Sequence, residues 1–369
     1  MIPIFAPSIT KMEKRLMLDA LDSGWISGAG KYIDLAESLW AAECESRYAI
    51  TVANGTVALQ LLLHTLGVGS GDEVLVPNLT YVATANAVLH VGAIPVFIDV
   101  EENSWCMDPD LIEQAIRPQT RAILVTHLQG HPCDVDRIKP LADKYGLALL
   151  GDAAQAHFAT YKNSPTGGLL DAETFSFHVG KILTCGEGGI ITTNNKELAG
   201  RLRFLKSHGM DPSRRFFHPE PAFNFRMTNT HAGFLCAQIQ RKDEILARRK
   251  EIFDIYDELL GDVSCLTKRP VSSDVRLSPW VYTMRLDDKH PIDVESLIKL
   301  LYIKKIESRP MYCPLNTLPM FIESKYIASH RDVSRKLAES VFYLPTYHDM
   351  KNSDIEYICT TVKSVLLSS

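Results

Sequence analysis

The 369-residue sequence predicts an α/β protein: a large, mostly parallel sheet with helices on both faces, followed by a smaller C-terminal α+β domain. Three observations lead there. Between Tyr48 and about Ser207, short apolar runs alternate with helical patterns. Most of those runs are near-continuously apolar, as strands covered on both faces should be. The length, with 46% hydrophobic and 22% charged residues, suits a substantial globular core and not a disordered, collagenous or membrane chain.

In chain order, Lys11 to Leu21 and Lys31 to Glu43 read as amphipathic helices. The glycine-rich segment from Asp22 to Gly30 joins them and carries Trp25, a loop of the sort that covers a site. Strands are expected at Tyr48 to Val52, Glu73 to Val76, Ile94 to Ile98, Ala122 to Thr126, Ala148 to Gly151, Thr174 to Phe177 and Gly189 to Thr193. The intervening helices are Val57 to Leu66, Ala83 to His90, Pro109 to Ile116, Asp136 to Tyr145 and Lys196 to Ser207, with Asp108-Pro109 as a cap-then-proline start. After an irregular stretch from His208 to Phe225, a charged helical pattern runs from Thr230 to about Leu260. The domain boundary is placed near Ala247, dividing residues 1–246 from 247–369, and the second part carries a strand at Trp280 to Leu286 and a helix at Asp293 to Leu301.

Composition excludes several functions. Lys plus Arg total 39 against 44 Asp plus Glu, net −5, with the signs interspersed, so a nucleic-acid partner is not expected. The eight cysteines stand singly, without zinc spacing, which predicts reduced thiols in a cytoplasmic protein and no metal site. No leader-like segment or membrane-length apolar run is present.

The chemistry concentrates at the ends of the predicted strands. Lys181 lies in a loop among glycines between two buried strands. It is either a surface lysine or one held dry enough to lose its proton and form a Schiff base. The second role requires a pKa below the ordinary ~10.4. Asp152 ends an apolar strand where open α/β sheets bind ligands. It is either a helix cap or the partner of a cofactor ring nitrogen. Asn54-Gly55-Thr56 turns a strand into a helix and offers N–H groups and a hydroxyl to an anion, although it is also an ordinary turn. Ser176 could add a phosphate ligand. Tyr81 could stack on a flat ring or simply pack in the core.

These pieces, in this order, resemble the DegT/DnrJ/StrS sugar-aminotransferase family over essentially the whole chain. The resemblance rests on Asn54-Gly55-Thr56, Asp152-Ala153-Ala154-Gln155, Ser176-Phe177 then Lys181, Gly186-Glu187-Gly188-Gly189 and Asn224-Phe225-Arg226-Met227. It implies the type I fold of pyridoxal-phosphate (PLP) enzymes, with Lys181 as the Schiff-base lysine and proton shuttle. It further implies Asp152 on the pyridinium nitrogen, Gln155 on the ring hydroxyl and Tyr81 stacked on the ring. Gly55, Thr56 and Ser176 would bind the phosphate, and Asn224 would reach the phosphate of the neighbouring subunit in an obligate homodimer with shared sites.

Within the family, the segments Asp22 to Ser27, Gly30 to Ile33, His127 to Asp134 and Ser308 to Pro314 are similar to the perosamine-forming branch. That implies amino transfer from L-glutamate, leaving 2-oxoglutarate, to C4 of a nucleotide-linked 4-keto-6-deoxyhexose, with GDP favoured, in deoxyaminosugar and polysaccharide biosynthesis. Trp25, Lys31, His178, Arg309 and Tyr312 are candidate substrate contacts. Lys31 and Arg309 read equally as solvated surface charges, and His178 equally as packing. His157-Phe158, Leu169-Leu170, Ala222 and Thr184-Cys185 depart from the family pattern. A C3 or other nucleotide-sugar aminotransferase, or a non-catalytic sensor on the same fold, are the alternatives.

Overall fold

The computed structural model describes residues 1–367. Two N-terminal helices, α1 (Lys11–Asp22) and α2 (Lys31–Glu43), precede the large sheet. Its strands and helices alternate as β1 (Tyr48–Val52), α3 (Gly55–Thr65), β2 (Glu73–Pro77), α4 (Ala83–His90), β3 (Ile94–Ile98), α5 (Pro109–Ala115), β4 (Thr120–Thr126), α6 (Val135–Tyr145) and β5 (Ala148–Asp152). A short hairpin, β6 (Thr160–Tyr161) and β7 (Ser164–Pro165), leads to β8 (Ala172–Ser176), β9 (Gly189–Thr193) and α7 (Lys196–Leu205). Most strands coincide with the expected apolar runs because burial on both faces leaves them few polar positions.

The strand order is β1-β9-β8-β5-β4-β2-β3, with β14 (Tyr326–Ile327) at the far edge. Neighbours from β8 to β14 are parallel. Strand β9 runs antiparallel to both β8 and β1. The sheet is therefore mostly parallel with one reversed strand. The carboxyl ends of β1, β2, β4, β5 and β8 all meet at one edge, and the start of β9 joins them there.

Packing behind β8 is aromatic. Trp40 of α2 meets Phe175 and Phe177 edge-on at 5.0 and 4.9 Å, with His157 at 5.4 Å and Phe158 at 5.5 Å. The departure at His157-Phe158 thus supplies core volume. Burial pushes the fully enclosed His157 down to about 3, so it packs as a neutral ring.

The expected helix from Thr230 to Leu260 divides into α8 (Asn229–Gln240) and α9 (Lys242–Leu260). At the break, Arg241 turns its guanidinium to the buried Glu13 at 2.6 Å. Residues 246 and 247 lie inside α9. Beyond it come β10 (Leu266–Thr267), β11 (Val275–Arg276), β12 (Tyr282–Leu286), α10 (Val294–Ile303), β13 (Arg309–Pro310), β14, α11 (Val333–Ser340), β15 (Val341–Leu344) and α12 (Asn352–Leu367). Strands β10, β12, β15 and β13 form a second sheet, covered by α9, α10 and α12 around Ile252, Tyr256, Leu297 and Ile358. The chain start belongs to this half: Ile2 exchanges backbone hydrogen bonds with Lys305 and Glu307, and Ile4 accepts from the Thr346 N–H.

Residues 315–334 cross back to the large sheet, where β14 pairs with β3. The buried Asp99, just past β3, accepts from the N–H groups of Ser329 (3.1 Å), Val333 (3.0 Å) and Ser334 (2.9 Å), and from both serine hydroxyls. Burial alone would raise its pKa, but these hydrogen bonds outweigh it and hold the carboxyl below its ordinary value. Asp99→Asn is expected to lower unfolding free energy by about 3 kcal/mol, read as a lower urea midpoint at unchanged slope. The wild type keeps this contribution above the ordinary carboxylate pKa of ~3.9 and loses it as pH falls through the depressed folded value. Equal midpoints for the two proteins at neutral pH would contradict the assignment.

Candidate active site

Lys181 sits in the connection between β8 and β9, a loop closed on itself by hydrogen bonds. The Phe177 N–H donates to the Gly188 carbonyl (2.8 Å), and the Phe177 carbonyl accepts from the Cys185 N–H and the Thr184 hydroxyl, each at 3.0 Å. Trp280 reaches the loop from the other half of the chain. Its indole N–H donates to the Gly180 carbonyl (2.7 Å), and its ring lies 4.6 Å from Lys181 Nζ. Phe5 stacks on Trp280 at 5.8 Å, and the Arg309 guanidinium lies over Phe5 at 5.6 Å.

Desolvation brings Lys181 down to about 8, and the nearby Asp152 charge only partly opposes it. The neutral amine is therefore accessible close to neutral pH. Capture of the PLP aldehyde by the apo-protein should accelerate about tenfold per pH unit up to about 8 and then level off. Stopped-flow absorbance measures this, and a rise continuing to the ordinary lysine value of ~10.4 would count against the dry amine.

Asp152 ends β5 and is 5% exposed. Its carboxylate is fixed at both oxygens: Oδ2 accepts from the Thr84 hydroxyl at 2.7 Å and Oδ1 from the Ala154 N–H at 3.1 Å. Gln155, also buried, accepts on Oε1 from the Gln129 N–H at 2.9 Å.

The third component is the start of α3. Asn54 caps the Val57 N–H at 3.0 Å. The N–H groups of Gly55 and Thr56, which have no intrahelical acceptor, remain at the positive end of the helix. A Cβ on Gly55 would lie 2.9 Å from Ser176 Cβ, so only glycine lets this turn rest against the end of β8. A Cβ on Gly189 would meet the Asn54 carbonyl oxygen at 2.4 Å. Gly189 therefore allows close packing of the start of β9 on this turn.

Tyr81, beyond β2, exposes its ring and meets Tyr312 edge-on at 5.8 Å; Tyr312 in turn meets Tyr343 at 6.2 Å. Lys181, Asp152, Gln155, Ser176, Gly55, Thr56, Tyr81 and Tyr312 thus line one sheet edge, with Arg309 linked through Phe5 and Trp280. His178 is exposed on the lysine loop, 3.8 Å from Glu187.

The other predicted residues have different partners. Trp25 is exposed, and its carbonyl accepts from the Asn229 side chain at 2.7 Å. Lys31 pairs with Asp19 at 2.5 Å. Asn224 is exposed and accepts from Arg226 at 2.9 Å, while the next residue, Phe225, accepts from the Ala53 N–H beside the α3 turn. Among the described residues no side-chain hydrogen bond or ion pair joins these three to Lys181. Sequence reasoning missed Trp280, Phe5, Thr84 and Gln129. Only Thr84 had a local signal, a hydroxyl in the first turn of an apolar helix directly after β2.

A profile of the DegT/DnrJ/EryC1/StrS aminotransferase family matches residues 7–363. The chain belongs to that family. A GDP-perosamine synthase of Caulobacter vibrioides is 38% identical, with 99% of this chain and 98% of that protein covered. A GDP-perosamine synthase of Escherichia coli O157:H7 is also 38% identical, over 98% and 97%. Among solved structures, the Streptococcus pneumoniae protein Spr1654 in its PMP form superposes with a TM-score of 0.93 at 29% identity, with both chains fully covered. That protein has PLP and apo forms as well.

The chain is thus a PLP-dependent aminotransferase of the type I fold. The residues fit the cofactor: a helix start that only glycine permits beside a serine, a carboxylate anchored at both oxygens, and a desolvated amine share one edge. Among the described residues no His, Cys, Asp and Glu cluster could hold a metal ion, and no helix is long and apolar enough to cross a membrane.

Proposed function

We propose that the protein transfers the amino group of L-glutamate to C4 of a nucleotide-linked 4-keto-6-deoxyhexose, with GDP as the preferred nucleotide; two of its relatives are named GDP-perosamine synthase. The observation that carries this reading is the half-buried, desolvated Lys181, with its pKa brought down to about 8, on the same edge as Asp152. A lysine whose neutral form is accessible there can take and return the proton that moves between substrate and cofactor.

Bound PLP supplies an electron sink for that proton removal. Asp152, oriented by Thr84 and Ala154, holds a proton on the ring nitrogen, and Gln155 binds the ring hydroxyl. Gly55, Thr56 and Ser176 hold the phosphate, and Tyr81 covers the ring. Asn224, exposed in this chain, reaches the phosphate of a second subunit in a homodimer. Tyr312, Arg309 and His178 face the sugar, with Trp25 and Lys31 as further substrate contacts. The eight free thiols are in keeping with a reducing cytoplasmic setting.

The test supplies L-glutamate with GDP-, UDP- and dTDP-linked 4-keto-6-deoxyhexoses. Expected are 2-oxoglutarate and amino sugar in equal amounts, fastest with GDP, with nitrogen at C4 by NMR. Amination of another nucleotide alone, or at C3, would replace the substrate. A visible band that glutamate fails to bleach would point to a ligand sensor instead.

A further inference from the structure

A glutamine amide can present either oxygen or nitrogen to a ligand, and a deprotonated ring hydroxyl is served only by the nitrogen. For Gln155 the choice is made by a neighbour. The Gln129 N–H donates to Gln155 Oε1, so that oxygen is committed and Nε2 must face elsewhere. Among the described residues no protein group accepts from Nε2.

Gln129 presents this N–H from a left-handed backbone, φ 50° and ψ 39°, in the turn after β4. A non-glycine residue stays in that region only when its surroundings hold it there. The holder is Arg269, which follows β10. Its guanidinium donates to the carbonyls of Leu128 and Gln129 at 2.9 Å each and of Ser104 at 3.3 Å, and lies 4.8 Å from the Trp105 ring. Arg269 is 8% exposed and has no carboxylate partner among the described residues, so its two terminal nitrogens serve these carbonyls, while its Nε has no partner there. The Gln129 side chain is tied to the Tyr343 hydroxyl.

We infer that Arg269 and Gln129 are positioning residues for the cofactor, acting through Gln155. The guanidinium clamps the 128–130 turn, the turn aims the Gln129 N–H, and that N–H sets the amide so that Nε2 points at the ring oxygen. This rests on the reading of Gln155 given above. Through Arg269, the chain beyond α9 holds a contact made on the large sheet.

The test titrates the visible absorption band of the PLP-loaded protein against pH. A donor to the ring oxygen favours the form with more negative charge there, so its loss raises the pKa of the band. Gln155→Met is expected to raise it by about one unit, the scale of one hydrogen bond to a charged group. Arg269→Lys should produce a similar rise, and none further in the Gln155→Met background.

Gln129→Val, β-branched and averse to positive φ, should also raise it, whereas Gln129→Gly, which keeps the turn and the N–H, should leave it unchanged. The Gln129 pair decides the matter if Arg269→Lys fails to fold. A shift with Gln155→Met but none with Arg269→Lys or Gln129→Val overturns the inference and spares the Gln155 reading. No shift with Gln155→Met overturns both. Equal shifts for the Gly and Val variants, or additive shifts in the double variant, overturn the relay.

Discussion

Replacing Lys181 with alanine yields a folded protein that still takes up PLP and no longer aminates, with kcat lower by about 10⁴-fold or more. The magnitude follows from the loss of the covalent anchor and general acid-base group proposed for Lys181, the latter alone worth ~10²–10⁴. Binding persists because the α3 turn, Ser176 and Asp152 do not depend on the lysine. The fold persists because the loop is closed by bonds from Phe177, Thr184 and Cys185, none of them through the Lys181 side chain. Steady-state rates with glutamate and keto sugar, together with retention of cofactor after gel filtration, measure both halves. Substantial residual amination would refute the role.

Asp152→Asn is expected to be nearly as severe while changing almost no atoms. The amide oxygen can still accept from the Ala154 N–H while its nitrogen donates to the Thr84 hydroxyl, so the site keeps its shape, but the negative charge proposed to sustain a protonated ring nitrogen is gone. An opposite charge at contact distance shifts a pKa by about 1–3 units, so the protonated fraction at neutral pH falls by up to about 10³. Bleaching of the visible band by L-glutamate in single turnover should slow by at least about 10²-fold. An Asn variant that bleaches at the wild-type rate would place the controlling charge elsewhere.

Much of the fold was legible because doubly covered strands write themselves as apolar runs: Ile94–Ile98 and Gly189–Thr193 match their expected bounds. Strand direction leaves no such trace, so the reversal of β9 was not visible. The two-residue β14 is too short to carry a pattern, and the helix break at Arg241 depends on Glu13, 228 residues away.

The same division holds at the site. Lys181, Asp152 and the Asn54-Gly55-Thr56 turn each sit directly after a strand, where chain position alone suggests a ligand edge. Trp280 and Arg269 act on residues about 100 and 140 positions upstream, and nothing local ties an indole or a guanidinium to a distant carbonyl. Gln129 was visible only as part of a similar stretch; its left-handed backbone, and hence its task, required coordinates.

The pairing of residues 2–4 with 305–307 and 346 also bears on the order of assembly during translation. The ribosome makes Ile2 some three hundred residues before its partners, so the opening segment, with the Phe5 that buttresses Trp280, stays unpaired while the α/β portion emerges and condenses. A buttress of the lysine loop is thus made long before the strands that seat it.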